Sequence, residues 1–216
     1  MSDRVPPVFA PPGQGGAGQG DEGGAARGPS WPPEVYEDRR AGGSVSERLR
    51  GHMEAFPDFP RAGIVFQDLM PVLKAPDLFA EVVEHFATEA ARVEADTIAA
   101  IESRGFLFAA PLSIRLGCPL LPIRKQGKLP GRTLQERYAL EYGEAELEIQ
   151  ADAIGAGSRV FVVDDLLATG GTLEAACRLV VRAGGQIAGL GVVVELVELE
   201  GAARLAPHEL LALVRM

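Results

Sequence analysis

"VFVVDDLLATGGTLEAA", Val160 to Ala176, joins an unbroken apolar run to two adjacent aspartates, a Thr-Gly-Gly-Thr turn and a helical pattern. A continuous run of valine and phenylalanine predicts a strand buried on both faces, as strands of parallel sheets are. Two like charges where such a strand ends are costly unless something binds them. In open α/β sheets, ligands bind at the carboxyl ends of the strands. Asp164 and Asp165 are expected at that end of a strand over 160–163, and Ala168-Thr169-Gly170-Gly171-Thr172 leads directly into the next helix. Glycines let backbone N–H groups approach an anion closely, and a helix N-terminus adds the positive end of its dipole. Thr169 and Thr172 add hydroxyl donors. A phosphate cradle beside two acceptor-only groups suits a ribose 5-phosphate: N–H groups for the phosphate, carboxylates for the sugar hydroxyls. The lysine and spacing of a Walker loop are absent, as is a G-x-G-x-x-G dinucleotide fingerprint. On this stretch alone a plainer alternative stays open, with solvated acids at a strand end and a threonine capping a helix.

The alternation continues outward. "TIAAI", "PLLPIRK", "QIAGLGVVVEL" and "LLALV" read as strands, and "RGFLFAAPLSIRLG" reads as a helix stopping near Gly117. "TLEAACRLVVRAGG" reads as a helix ending at Gly184-Gly185, with a short helix near "EGAARLA". Asp77 is placed to cap a helix whose inner face carries Leu78, Val82, Phe86 and Ala90. Ser44 and Glu47 have capping-box spacing, with Leu49, Met53 and Phe56 following at helical intervals. "QGKLPGRTLQER" is polar, basic and broken by Gly127, Pro130 and Gly131, which predicts a mobile loop. "YALEY" and "AELEIQ" flank Gly143-Glu144 and predict a hairpin. Strands alternating with helices give the fold class α/β, a central mostly parallel sheet flanked by helices.

Composition narrows the function. The chain has 216 residues, enough for one domain plus an appendage, and a net charge of −9. That charge argues against nucleic acid as a partner, because phosphate backbones demand a basic surface. No apolar run reaches the ~18 residues that a membrane helix needs, and the start "MSDRVPPVFAPPGQGG" does not read as a secretory signal. Cys118 and Cys177 fit no zinc or redox spacing and are expected to be reduced core thiols of a cytoplasmic protein. His52, His85 and His208 are isolated, which disfavours a histidine-based metal site or triad. Residues 1–43 hold ten glycines and seven prolines. This exceeds the roughly 25–30% that marks low complexity, so they are expected to be a disordered tail before a domain over 44–216.

Five stretches, "FPDFPRAGIVFQD", "ESRGFLFAAPL", "IRKQGKLPG", "LEYGEAELEIQ" and "VDDLLATGGT", resemble in order and spacing the adenine phosphoribosyltransferases, within the type I phosphoribosyltransferases. The resemblance covers roughly residues 45–216. It implies transfer of the 5-phosphoribosyl group from phosphoribosyl pyrophosphate to adenine, giving AMP and pyrophosphate. It also implies Mg²⁺ as cofactor, a homodimer, a small N-terminal hood and a flexible β-hairpin loop. Carried over residue by residue, it implies that Glu141, Arg104 and Lys128 are catalytic. Arg104 would hold pyrophosphate beside a non-proline cis peptide at Glu102–Ser103. Lys125, Lys128 and Arg132 would lie on a loop that closes over the reacting centre, although a basic loop is equally a solvated surface. Glu141, with Tyr142, would serve adenine N7; without the resemblance Glu141 is an exposed hairpin acid. Val65 would read the adenine edge, with Phe66 and Leu166 on the base faces. Asp164, Asp165, Ala168, Thr169, Gly170, Gly171 and Thr172 would bind the ribose phosphate. Mg²⁺ would be carried by the substrate, or by Asp164 or Asp165, and Arg124 would reach a partner subunit's site.

Two positions depart from the family pattern. Gln67 in "VFQD" and Gln126 in "RKQGK" stand where basic residues are usual. Each can donate a hydrogen bond but not a charge-assisted one. Their presence keeps a second reading open, a catalytically weak paralogue acting as a regulatory module that binds phosphoribosyl pyrophosphate or a nucleotide. Another purine specificity on the same scaffold is disfavoured by "FPDFP" and "GIVF".

Overall fold

The computed structural model describes residues 43–140 and 143–216. Helix α1 (Val45–His52) starts at the expected capping box: Ser44 Oγ accepts from Glu47 N–H, and the Glu47 carboxylate accepts from Ser44 N–H at 2.7 Å. It ends before the helical spacing of Leu49, Met53 and Phe56 is complete. Phe56 instead falls in strand β1 (Glu54–Pro57), which pairs antiparallel with β2 (Val65–Asp68) as a separate two-stranded sheet. This small sheet is the hood that the resemblance implied. Phe59, in the connection between the two strands, meets Phe66 of β2 edge-on at 5.3 Å.

A short helix α2 (Met70–Leu73), which no sequence signal announced, leads into α3 (Pro76–Arg92). Asp77 does not cap α3. Proline is favourable in a first turn, so the helix begins at Pro76, the cap position is Ala75, and Asp77 lies one residue inside. Leu78, Val82, Phe86 and Ala90 are buried along α3 as expected.

The remaining elements are β3 (Thr97–Ile101), α4 (Gly105–Leu116), β4 (Leu120–Lys125), β5 (Thr133–Leu140) and β6 (Gly143–Gln150). β7 (Arg159–Leu167), α5 (Gly171–Arg182), β8 (Gln186–Glu195), α6 (Gly201–Arg204) and β9 (Leu210–Arg215) complete the chain. The large sheet runs β5-β6-β4-β3-β7-β8-β9. β4-β3-β7-β8-β9 are mutually parallel, and the β5–β6 hairpin adds antiparallel at the β4 edge. The fold is α/β with a mostly parallel sheet, as expected.

Phe86 of α3, Phe108 and Leu112 of α4 and Leu49 of α1 cover one face with Phe161 and Val163 of β7. Leu173, Ala176, Leu179 and Val180 of α5 cover the other with Val160, Val162, Ile101 and Ile123. Each fully buried large side chain contributes roughly 1.5–3 kcal/mol. This double cover explains why β7 reads as continuous apolar sequence instead of alternating.

Two expectations about the hairpin change. "TLQER" lies in β5 and is not loop, because its residues pair with β6 from Thr133↔Gln150 onward. Gly143-Glu144 belongs to β6 and is not the turn; Gly143 already pairs with Leu140 of β5. Glu141 and Tyr142, like tail residues 1–42, lie outside the described residues.

Candidate active site

Strand β7 does not stop at Val163. It continues through both aspartates to Leu167, so the carboxylates lie within its C-terminal half. Asp164 and Asp165 are 9% and 4% exposed, which leaves two adjacent carboxylates almost without water. Burial raises the Asp164 pKa well above the usual carboxylate range, and the neighbouring Asp165 charge pushes it further. Burial also raises Asp165, against the opposing pull of Arg104. Asp164 Oδ1 accepts from the Asp165 N–H at 2.9 Å. Gly105, the first residue of α4, makes this packing possible: a Cβ there would lie 2.8 Å from the Val163 carbonyl and 3.1 Å from Asp164 Oδ1.

Arg104 stands at the N-cap of α4, just after a cis Glu102–Ser103 peptide. Its Nε lies 2.8 Å from Asp165 Oδ2, and its guanidinium sits 5.1 Å from the centre of the Phe66 ring. The ion pair is oblique, so Oδ2 is charge-compensated yet accepts no hydrogen bond from the described residues. A buried oxygen with an open lone pair is what a ligand hydroxyl or a hydrated cation requires.

These groups border a cavity of about 370 Å³. Around it the fold gathers Arg104, Lys125, Asp164, Asp165, Leu166, Ala168, Thr169, Gly170, Gly171 and Thr172, all anticipated from the sequence. Glu102 and Ser103, the residues of the expected cis peptide, also line it, as do Tyr138, Leu167 and Leu173, which had not been singled out. Tyr138 had a weak signal, since β5 alternation turns its ring inward, but the crossing of β5 beneath α5 is a long-range fact. Lys128 and Val65 do not line the cavity; Val65 is 54% exposed and Phe66 approaches it only through Arg104. Arg124 Nε donates to Glu102 Oε2 at 3.1 Å.

The glycine turn before α5 is shaped by contact as much as by φ. Gly170 has φ +82°, and a Cβ on it would lie 2.7 Å from the Gly201 carbonyl. A Cβ on Gly201 would lie 2.1 Å from the Ala168 carbonyl. The backbone at the start of α6 is therefore the floor under the 168–170 turn, a role no local pattern around Gly201 reveals. The first intrahelical bond of α5 runs from Glu174 N–H to Gly170 O at 2.9 Å. The preceding N–H groups of the first turn are left for an anion.

A family model described as "Phosphoribosyl transferase domain" matches residues 73–209. The adenine phosphoribosyltransferase of Frankia casuarinae is 51% identical over 171 residues, 79% of this chain and 91% of its own length. That of Clavibacter sepedonicus is 47% identical over 185 residues, 86% of this chain and 96% of its own. The crystal structure of the Thermoanaerobacter pseudethanolicus adenine phosphoribosyltransferase superposes with a TM-score of 0.76 at 44% identity, covering 79% of this chain and 99% of that one. The Saccharomyces cerevisiae enzyme, complexed with an imino-altritol bisphosphate and adenine, superposes with a TM-score of 0.74 at 38% identity, covering 78% and 98%. The chain belongs to the adenine phosphoribosyltransferase family.

Proposed function

We propose that this chain is a purine salvage enzyme, an adenine phosphoribosyltransferase, with the 370 Å³ cavity as its phosphoribosyl pyrophosphate site. The observation that carries this reading is the buried Asp164-Asp165 pair beside a helix-starting glycine turn, with Arg104 and Lys125 on the facing wall. The turn and the first N–H groups of α5 take the 5-phosphate. The aspartates accept from the ribose hydroxyls, and Arg104 and Lys125 face the pyrophosphate. Adenine N9 bonds to the ribosyl C1 as the C1–O bond to pyrophosphate breaks, and the purine releases its N9 proton. Positive charge gathers on the ribosyl group as that bond lengthens, and nearby anionic oxygens stabilise it. By family resemblance Glu141 partners N7, Tyr142 supports it, Val65 reads the purine edge, and Phe66 and Leu166 enclose its faces. Lys128 closes from the loop.

Mg²⁺ fits this donor set. It keeps most of its waters and takes one or two carboxylates together with substrate phosphates. Asp165, with its open buried oxygen, and Asp164 are the residues that would hold it. The ion would neutralise pyrophosphate charge. Among the described residues no cluster of three or more acidic, histidine or cysteine side chains forms a metal cage.

A homodimer is supported by an exposed apolar stripe on α4, Leu107 and Ile114, with Leu120 beyond it. Sedimentation as a monomer at micromolar concentration would remove that element. A cytoplasmic location is supported by the two unbonded cysteines. No helix among the described residues is long and apolar enough to cross a membrane. Residues 1–43 are read as a tail outside the catalytic domain.

The deciding experiment measures pyrophosphate release from phosphoribosyl pyrophosphate and Mg²⁺ with adenine, hypoxanthine, guanine and xanthine in parallel. Turnover with adenine alone is expected. Turnover only with a 6-oxo purine, or with no base, would overturn the reading.

Two variants probe the phosphate side. Gly201→Ala pushes a methyl into the Ala168 carbonyl, an overpacking strain of ~1–3 kcal/mol. The expected result is a KM for phosphoribosyl pyrophosphate raised about tenfold, with the KM for adenine nearly unchanged. An equal rise in both would show general distortion. Gln67 is half-buried on β2. Gln67→Arg is expected to lower the KM for phosphoribosyl pyrophosphate roughly tenfold by restoring a charge-assisted contact worth ~1.5–3 kcal/mol. Unchanged affinity would show that Gln67 has no part in pyrophosphate binding.

A further inference from the structure

We propose that Glu148 is the positioning residue that sets the loop carrying Lys128, an inference that rests on the role given to Lys128 above. Glu148 lies in β6, 2% exposed. Its Oε1 accepts from the backbone N–H groups of both Lys128 and Leu129, each at 2.7 Å. Burial opposes its ionisation. The Leu129, Lys128 and Gly127 N–H groups and the Gln135 side chain outweigh that cost and hold its pKa below the usual glutamate value. Charge-assisted bonds from several N–H groups to one carboxylate are among the stronger hydrogen bonds a fold can make.

The other side of the Lys128 residue is held too. Arg124, the register partner of Glu148 across β4 and β6, donates from Nη1 to the Lys128 carbonyl at 3.2 Å. The same guanidinium donates from Nε to Glu102, which also accepts from the Lys125 N–H at 3.1 Å. Glu102 lines the substrate cavity. Glu148, the 128–129 peptide groups, Arg124 and Glu102 thus form one connected set from the sheet edge to the cavity wall. The backbone of Lys128 is held at its N–H and its C=O, so the origin of its side chain is fixed. The sequence suggests a mobile loop over this region, yet its first half is fastened. Gln126 N–H donates to the Glu146 carbonyl at 3.1 Å, and Gln150 Nε2 donates to the Pro130 carbonyl at 3.2 Å.

The test uses the full chain and four variants: Glu148→Ala, Glu148→Gln, Lys128→Ala and the Glu148→Ala/Lys128→Ala double. Hydrogen exchange in the wild-type protein should show the Lys128 and Leu129 amides protected, and Glu148→Ala should release them. Glu148→Ala should lower kcat/KM for phosphoribosyl pyrophosphate about a hundredfold, the scale for displacing a reacting group by an ångström. Glu148→Gln keeps a carbonyl acceptor and should recover most of that loss. In the Lys128→Ala background, Glu148→Ala should cost little more, because the group it acts through is gone. Full additivity in the double variant, or free exchange of the 128–129 amides in the wild type, would overturn the proposal. The wild-type exchange measurement needs no variant to fold. Wild-type rates in Lys128→Ala would instead sink the role of Lys128, so the two failures are distinguishable.

Discussion

Replacing Arg104 with alanine is expected to lower kcat/KM for phosphoribosyl pyrophosphate about a thousandfold, ~4 kcal/mol of transition-state stabilisation. Two losses combine. The first is a cation on the cavity wall, proposed above to face the departing pyrophosphate; removing one such preorganised donor costs ~10²–10³ in rate elsewhere. The second is internal. Arg104 is the ion-pair partner of Asp165, 2.8 Å away, and it lowers the pKa of a carboxylate that burial already raises. Without it Asp165 holds a proton more tightly and is a poorer acceptor for sugar hydroxyls or a cation. Arg104→Lys keeps the charge but loses the planar face over Phe66 and the forked donors, so an intermediate loss is expected. Steady-state kinetics with each substrate varied makes the check. A kcat/KM within tenfold of wild type for Arg104→Ala would mean that Arg104 serves Asp165 alone and not the pyrophosphate.

The parts of this site that could be read in advance are those whose meaning is local. The Asp-Asp and Thr-Gly-Gly-Thr run encodes its own strand, turn and helix start, and the structure places all of it around one cavity. Helix α1 was legible through its capping box, but its end was not. Met53 and Phe56 continue a helical period that loses to pairing of β1 with β2, where Phe56 meets Phe66, and period alone does not encode a strand partner ten residues on. The hairpin was expected and is present, but the end of the loop and the start of its second strand were misplaced for the same reason. "TLQER" has weak strand character, and it becomes strand because β6 already forms a β4 edge for it. Gly201 and Glu148 had no local signal at all. Gly201 matters through a contact with Ala168, and Glu148 through two N–H groups about twenty residues earlier.

Asp164→Asn is expected to make the ligand-free protein more stable at neutral pH while lowering kcat/KM about a hundredfold. Burial raises the Asp164 pKa well above the normal value, and the Asp165 charge raises it further. A folded-state pKa above the unfolded one means that the native chain holds a proton the unfolded chain releases. The associated stability is complete below the unfolded aspartate value of ~3.9. It is lost as pH rises through the folded pKa. At neutral pH the ionised pair is therefore a burden on the fold. The asparagine amide cannot ionise, yet its carbonyl can still accept the Asp165 N–H that Asp164 Oδ1 takes at 2.9 Å. A gain of ~1–3 kcal/mol is expected, or a Tm rise of about 3–10 °C at the ~2–4 °C per kcal/mol usual for this chain length. The gain should shrink as pH falls toward the ordinary aspartate range, where the wild-type pair is neutralised by protons. Phosphoribosyl pyrophosphate with Mg²⁺ should raise the wild-type Tm more than that of the variant, because bound cationic charge relieves the same repulsion. Thermal unfolding across pH, with and without that ligand, makes the check. A Tm difference that is absent, negative or flat with pH would show that the acidic pair is already compensated in the free protein. The strain would then have no part in drawing the substrate and its metal into the site.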